Sequence, residues 1–292
     1  MRYLFQKVFW QATLFVTVSA WLMPSLLFAA SVLYSVARDD AELRIINQAT
    51  GATESSLSMT LAGETITGAT GLALNPLTNE LFGLLKLSGS AGRELVIIDL
   101  ITGVTTSVGN TGEGFAGIAF DASGTLFGVT GDGGSTAETL FTLSLTDASS
   151  TFFQSLGNGD DGESIAFNPD AGLMYHGSGR ISKIFETVNL TTHGVTNVSL
   201  TGAGLFDEFL ALTYAGSNSF FLSGNNLDGR LFQITTDGVV TLFGDMDHVS
   251  KGLVLLSTVT SIPEPATIFL FGSGILGLIG YARRRQRILH IW

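Results

Sequence analysis

The chain has 292 residues, of which 45% are hydrophobic and 13% charged, with 36 glycines, five prolines and no cysteine. So apolar a composition excludes disorder, and the lack of cysteine excludes a disulfide framework or a thiolate metal site. A formal net charge of −11 argues against nucleic acid as a partner, because phosphate binding requires clustered Lys and Arg.

Residues 1–30 carry Arg2 and Lys7 and no acid. A mostly apolar run from Val8 to Phe28 follows, then the small residues Ala29, Ala30 and Ser31. A basic start, an apolar stretch and small residues predict a secretory signal peptide over 1–30. An uncleaved anchor is the alternative, although Gln11 and Pro24 interrupt the run.

The middle of the chain has the opposite charge. Residues 31–262 hold eight basic and 24 acidic side chains, a net of −16. One apolar-aromatic pair recurs there: Leu33-Tyr34, Leu81-Phe82, Leu126-Phe127, Met174-Tyr175 and Phe220-Phe221. Its second members are 48, 45, 48 and 46 residues apart. A second signature follows each pair, at Leu43, Leu95, Leu140, Ile184 and Leu231. A third precedes most of them, in Gly71-Leu-Ala-Leu-Asn-Pro, Gly117-Ile-Ala-Phe-Asp, Ser164-Ile-Ala-Phe-Asn-Pro and Leu210-Ala-Leu-Thr. Each unit holds four short alternating runs punctuated by Gly, Asn or Asp. In the second unit these are Gly71–Leu74, Leu81–Leu85, Glu94–Leu100 and Val104–Val108.

Four strands in about 46 residues is the blade length of a β-propeller, so the expectation is an all-β, five-bladed ring over 31–256. The first unit lacks an opening strand, and Gly252–Leu256 supplies one that would close the ring and remove its edges. A double-sheet sandwich or jelly roll would explain the strands but not their regular spacing. The units resemble bacterial propeller repeats of the LFxIDxxTGxxT kind, lactonase-like secreted propellers included. Fifteen of the 21 phenylalanines lie between residues 82 and 243, which makes Phe the core-forming residue.

Residues 257–265 form a linker containing Pro263-Glu264-Pro265, whose prolines keep the chain extended. Ala266–Ala282 is a span of 17 uncharged residues, roughly 25 Å as a helix and just enough for a thin bilayer. It reads as a transmembrane helix. Arg283, Arg284, Arg285 and Arg287 in the basic tail, 283–292, stop transfer and stay cytoplasmic. The order Pro-Glu-Pro, apolar span and Arg cluster resembles the PEP-CTERM sorting signal. That resemblance implies recognition by an exosortase, a membrane protease-transpeptidase, with cleavage near Pro263–Pro265. It also implies a Gram-negative bacterium that makes exopolysaccharide. The apolar end, Ile288–Trp292, is longer than usual in such signals. The alternative is a C-terminal anchor that is never cut.

The sequence gives little sign of chemistry in the ring. His176 reads as a strand residue and His193, before Gly194, as a turn; with His248 they match no metal-ligand spacing. The acids that would sit on analogous loops at the channel mouth are Asp39, Asp40, Glu113, Asp160, Asp161, Glu163, Asp207 and Glu208. Glu113, Glu163 and Glu208 stand out because each just precedes an opening strand. Three or more carboxylates converging within ~6–9 Å would indicate a glycosidase or lactonase, whereas a channel lined by Phe, Thr and Gly would indicate a binding module.

All three tryptophans lie outside the domain, so flat sugar-stacking platforms are scarce. No cofactor or metal is required. Calcium is the ion that the oxygen-rich loops Asn158–Glu163 and Gly131–Gly134 would suit, though neither has the spaced EF-hand pattern. The expectation is therefore an exported, non-catalytic module of an exopolysaccharide or biofilm matrix. It would be tethered for a time to the inner membrane and then placed at the cell surface or outside it. A secreted hydrolase is the alternative.

Overall fold

The computed structural model describes residues 30–258 apart from 132, 158, 160 and 225–228. Nearly all of the leader, the tripeptide Pro263-Glu264-Pro265, the 266–282 span and Arg283, Arg284, Arg285 and Arg287 lie outside the described residues. So do Asp132, Asn158 and Asp160 of the two calcium-like loops. Among the described residues no helix is long and apolar enough to cross a membrane.

Ser31–Ser257 form one unit of five four-stranded sheets, the blades of a propeller. Blade 2 runs outward from the axis as β4 (Ile66–Leu74), β5 (Leu81–Leu87), β6 (Glu94–Ile98) and β7 (Thr105–Asn110). In blade 3 the order is β8 (Phe115–Phe120), β9 (Leu126–Thr130), β10 (Thr139–Leu143) and β11 (Ser150–Ser155). Blade 4 contains β12 (Glu163–Asn168), β13 (Leu173–Ser178), β14 (Ile184–Val188) and β15 (Val195–Asn197). Blade 5 contains β16 (Ala211–Gly216), β17 (Ser219–Gly224), β18 (Arg230–Thr235) and β19 (Val240–Asp245). Blade 1 is drawn from both ends of the domain. Its first strands in sequence are β1 (Ala30–Ala37), β2 (Glu42–Ile46) and β3 (Thr53–Ser58), and its innermost strand is β20 (Ser250–Thr258), in the order β20-β1-β2-β3. The expected closure by Gly252–Leu256 is therefore present. It leaves no blade short of a strand.

The repeat signatures have direct structural causes. Asn75, Asp121 and Asn168 end the third signature, and each accepts backbone N–H bonds in the turn between the first two strands of its blade. The nearest are Leu77 at 2.9 Å, Thr125 at 2.8 Å and Asp170 at 3.0 Å. Asn47, Asp99 and Asn189 do the same between the last two strands, to Ala49, Ile101 and Thr191 among others. These short side chains mimic a backbone turn. Gly103 follows one such turn with φ +73°, and a Cβ there would lie 2.2 Å from the Ser58 carbonyl oxygen of the neighbouring blade. Only glycine fits.

Successive strand residues point to opposite sheet faces, so the recurring pair contributes to two interfaces at once. Leu81 packs between blades 1 and 2, and Phe82 between blades 2 and 3. Leu126 joins Phe82, while Phe127 turns to the next wedge with Met174. Tyr175 and Phe220 share the wedge between blades 4 and 5, and Phe221 and Leu33 the wedge between blades 5 and 1. The core is thus five wedges in a circle. The wedge between blades 4 and 5 is the most aromatic, with Phe185, Phe206, Phe209, Phe220 and Phe232 all buried. Fully burying each ring stabilises by about 2–3 kcal/mol.

Candidate functional site

The inner strands β4, β8, β12, β16 and β20 line the axis and fix what each end of the ring presents. Gly71, Gly117 and Gly252 bring these strands together. A Cβ on Gly252 would meet Val36 at 2.7 Å and Gly71 at 2.9 Å. The axial space among Gly71, Gly117, Ser164, Ala211 and Gly252 is only about 10 Å³, about the room one water needs. Glycine and aliphatic chains line it together with Ser164 and Lys251; of the Phe, Thr and Gly lining that would indicate a binding module, this narrow stretch has the glycine, and Phe120, Phe167 and Thr213 lie in the wider cavity beyond it. Beyond the C-terminal halves of the inner strands the axis opens into an apolar cavity of about 330 Å³. Leu74, Phe120, Phe167, Tyr214 and Leu255 line it.

The titratable groups gather at the other end, where the inner strands begin. Glu113, in the loop before β8, accepts from the backbone N–H of Ser135 at 2.9 Å and from the Ser135 hydroxyl. These bonds hold its carboxyl below the ordinary range. Glu163 opens β12 and is buried. Its Oε2 lies 2.6 Å from Nε2 of His176, and its Oε1 accepts from Ser178 Oγ at 2.8 Å. The other ring nitrogen of His176 lies 3.0 Å from Glu186 Oε1, which also accepts from Gly157 N–H at 2.9 Å. Antiparallel register sets up this arrangement, since His176 faces Ile165 on β12 and Glu186 on β14. Burial alone would lower the His176 pKa. The hydrogen bonds and charges of Glu163 and Glu186 outweigh it and raise the value to about 9. Burial raises Glu186, but the bonds from His176 and Gly157 bring it below the ordinary value. The imidazole is therefore a buried cation clamped between two carboxylates.

Glu208 precedes β16, is buried, and meets Lys251 of β20 at 3.2 Å through Oε1; its Oε2 has no hydrogen-bond partner. Burial raises its pKa, with Asp161 adding to the effect and Lys251 only partly opposing it. Gly162, at φ +77°, makes room, because a Cβ there would lie 2.4 Å from Glu208 Cγ. Of the remaining acids, Asp40 pairs with Arg44 at 2.6 Å and Asp207 with Arg180 at 3.5 Å. The three acids singled out from the sequence thus share one end of the ring, but each is committed to a different partner: Ser135, His176 or Lys251. Among the described residues no group of three or more His, Asp and Glu has the arrangement of a metal site.

A second polar string has no local pattern in the sequence. Ser35 Oγ lies 2.7 Å from His248 Nε2, and His248 Nδ1 lies 2.8 Å from Asp247 Oδ1. The order of atoms is that of a Ser-His-Asp relay, but Ser35 has no exposed surface and also bonds Ser250 Oγ at 2.8 Å. No substrate carbonyl can reach it. Asp247 in turn accepts from Thr53 Oγ1 of β3 at 2.6 Å. The string ties the loop before β20 to blade 1 and locks the seam of the ring. Burial, which outweighs the Asp247 hydrogen bond, together with the Arg44 charge, holds His248 below its ordinary pKa.

Comparison with known proteins bears on two parts of the chain. The PEP-CTERM protein-sorting motif matches residues 261–286. No curated protein matches the chain. The fold is similar to a chain of the nidogen/laminin complex, at 11% identity and TM-score 0.54, covering 78% of this chain and 100% of that one. It is also similar to a protein of unknown function from Bacteroides caccae, at 11% identity and TM-score 0.50, covering 78% and 99%. At such identity the likeness concerns the fold alone. The chain is therefore an exported protein in which a five-bladed β-propeller precedes a PEP-CTERM motif, the signal that an exosortase reads at the membrane.

Proposed function

We propose that the propeller is a non-catalytic binding or structural module of an exopolysaccharide matrix, delivered by its C-terminal signal. On this reading residues 1–30 direct export and are removed. The 266–282 helix then holds the precursor in the inner membrane with Arg283–Arg287 on the cytoplasmic side. Cleavage at Pro263-Glu264-Pro265 releases the ring to the cell surface or beyond.

The sorting motif at 261–286 carries this proposal. It begins just after β20, which ends at Thr258, so a cut at the motif leaves every blade whole. The non-catalytic part of the reading draws support from the mouth acids. Glu113, Glu163 and Glu208 are engaged by Ser135, His176 and Lys251, and the axis beneath them is closed. Mass spectrometry of the surface or secreted protein tests delivery. The expected mature C-terminus lies near residues 262–265, and recovery of Arg283–Trp292 in that form would refute sorting.

A further inference from the structure

We propose that Arg38, Lys86, Arg93 and Lys251 form a receptor at the ring mouth for the carboxylates of an acidic polysaccharide. The proposal deepens the matrix-module reading and rests on it. The four residues come from neighbouring blades at the end where the inner strands begin. Arg38 directly follows β1, and Lys251 is the second residue of β20. Lys86 stands near the end of β5, opposite Gly68 of β4, and Arg93 directly precedes β6. The Lys86 ammonium donates to the Arg38 carbonyl at 2.9 Å, linking blades 1 and 2. All four side chains are half-buried, so a ligand can reach them.

The charge distribution makes the cluster unusual. The acidic domain has only eight basic residues against 24 acids, and half of the eight are here. Three of the other four meet carboxylates, Arg44–Asp40 at 2.6 Å, Arg180–Asp207 at 3.5 Å and Arg230–Asp245 at 3.2 Å, as Lys251 meets Glu208 at 3.2 Å within the cluster. Among the described residues neither Lys86 nor Arg93 has a carboxylate at ion-pair distance. The Arg93 guanidinium donates to the Gly92 carbonyl at 3.1 Å, and its buried Nε has no acceptor. Burial and the neighbouring Arg93, Arg38 and Lys251 charges lower the Lys86 pKa, and the charge of Asp39 opposes them only in part. Holding the half-buried Lys86 and Arg93 side by side with no carboxylate at ion-pair distance is unfavourable, and an external anion would relieve it.

A carboxylate suits the mouth. Lys251 already holds one, that of Glu208, and a guanidinium fork matches carboxylate geometry. The surrounding net charge of −16 repels densely charged polymers such as nucleic acids. A chain with at most one carboxylate per sugar can engage the cluster and leave its remaining length in solvent.

The test uses the full-length chain in detergent with fluorescent alginate oligosaccharides, neutral dextran oligosaccharides and inorganic phosphate as probes. Alginate binding is expected, to weaken as salt rises, with no dextran binding. Lys86→Gln and Arg93→Gln should each weaken it about tenfold, while Arg230→Gln leaves it unchanged. The arginine tail, common to all variants, gives an equal background. Wild-type binding by both Gln variants, an equal loss in Arg230→Gln, or phosphate binding without alginate binding would each overturn the site. Salt-insensitive binding by the unaltered protein would do so as well, whatever the stability of the variants. Failure of the site leaves the C-terminal processing result intact, and a retained arginine tail leaves the alginate result intact.

Discussion

His176 shows how one side chain joins three strands. Its folded pKa of about 9 lies above the ordinary 6.5, so its stabilising contribution is complete below about pH 6.5. It is lost as pH rises through 9, a change of roughly 3 kcal/mol. Glu186 acts in the opposite sense. Its folded pKa lies below the ordinary 4.5, so its contribution is present above that pH and lost on further acidification. Urea midpoints measured from pH 4 to 10 should fall from about pH 6.5 toward 9.5, and the depressed His248 lowers them on the acid side of 6.5. His176→Asn leaves two buried carboxylates without their cation and should cost about 3–5 kcal/mol. Acidification toward pH 4 should stabilise the variant, and a profile parallel to that of the unaltered protein would contradict the ion triplet. In the sequence His176 reads only as a strand residue beside Met174-Tyr175. Its partners lie 13 and 10 residues away, and only the pairing register brings them to its ring. Ser35 and His248 are 213 residues apart and share no local pattern at all.

At the level of strands and blades the sequence is far more legible, because the features that recur are those that every blade needs. The apolar-aromatic pair marks each second strand, and Asn or Asp marks most turns that must bond their own backbone, with Thr235 taking that place between the last two strands of blade 5. Where the reading of β4 is short, the cause is local. Its expected start, Gly71, lies at a register shift between Thr70 and Leu72 with φ +76°. The strand continues back through this bulge to Ile66, and a glycine there looks like an end. Packing between blades yields a contrast in mutational cost. Phe209 is fully buried, 4.8 Å from Phe206 and stacked 6.0 Å from Phe185, centroid to centroid. Phe209→Ala should lower stability by about 3–5 kcal/mol. Phe152 is 61% exposed on the outer strand β11, and Phe152→Ala should stay within about 0.5 kcal/mol. Urea unfolding of the two variants makes the comparison, and equal costs would mean that the wedges do not hold the blades together.

For the whole molecule, ring closure is the decisive event. β20 completes blade 1, and the Ser35–His248–Asp247–Thr53 string fastens the loop that leads into it. A chain ending at Val249 loses that strand and exposes the inner edge of β1, a template for association with other chains. Hydrogen exchange should show protection lost first in β1 and β2, accompanied by aggregation. Protection equal to that of the intact chain would mean that the other blades hold blade 1 without its inner strand. The closure was legible in the sequence because Gly252–Leu256 repeats the opening strand that the first unit lacks. The cationic mouth was not, because Arg38, Lys86, Arg93 and Lys251 are scattered singly along the chain and only the circular order of the blades gathers them.

The clasp also sets a timetable. Ser35 bonds Ser250, 215 residues later, so the earliest strand to be synthesised waits for the last one before the circle can shut. During export, then, β1 remains an open seam until almost the whole ectodomain has emerged. A sealed propeller certifies that the polypeptide was translocated through its final blade, and only such a finished article would meet the processing enzyme with no loose edge to offer its neighbours.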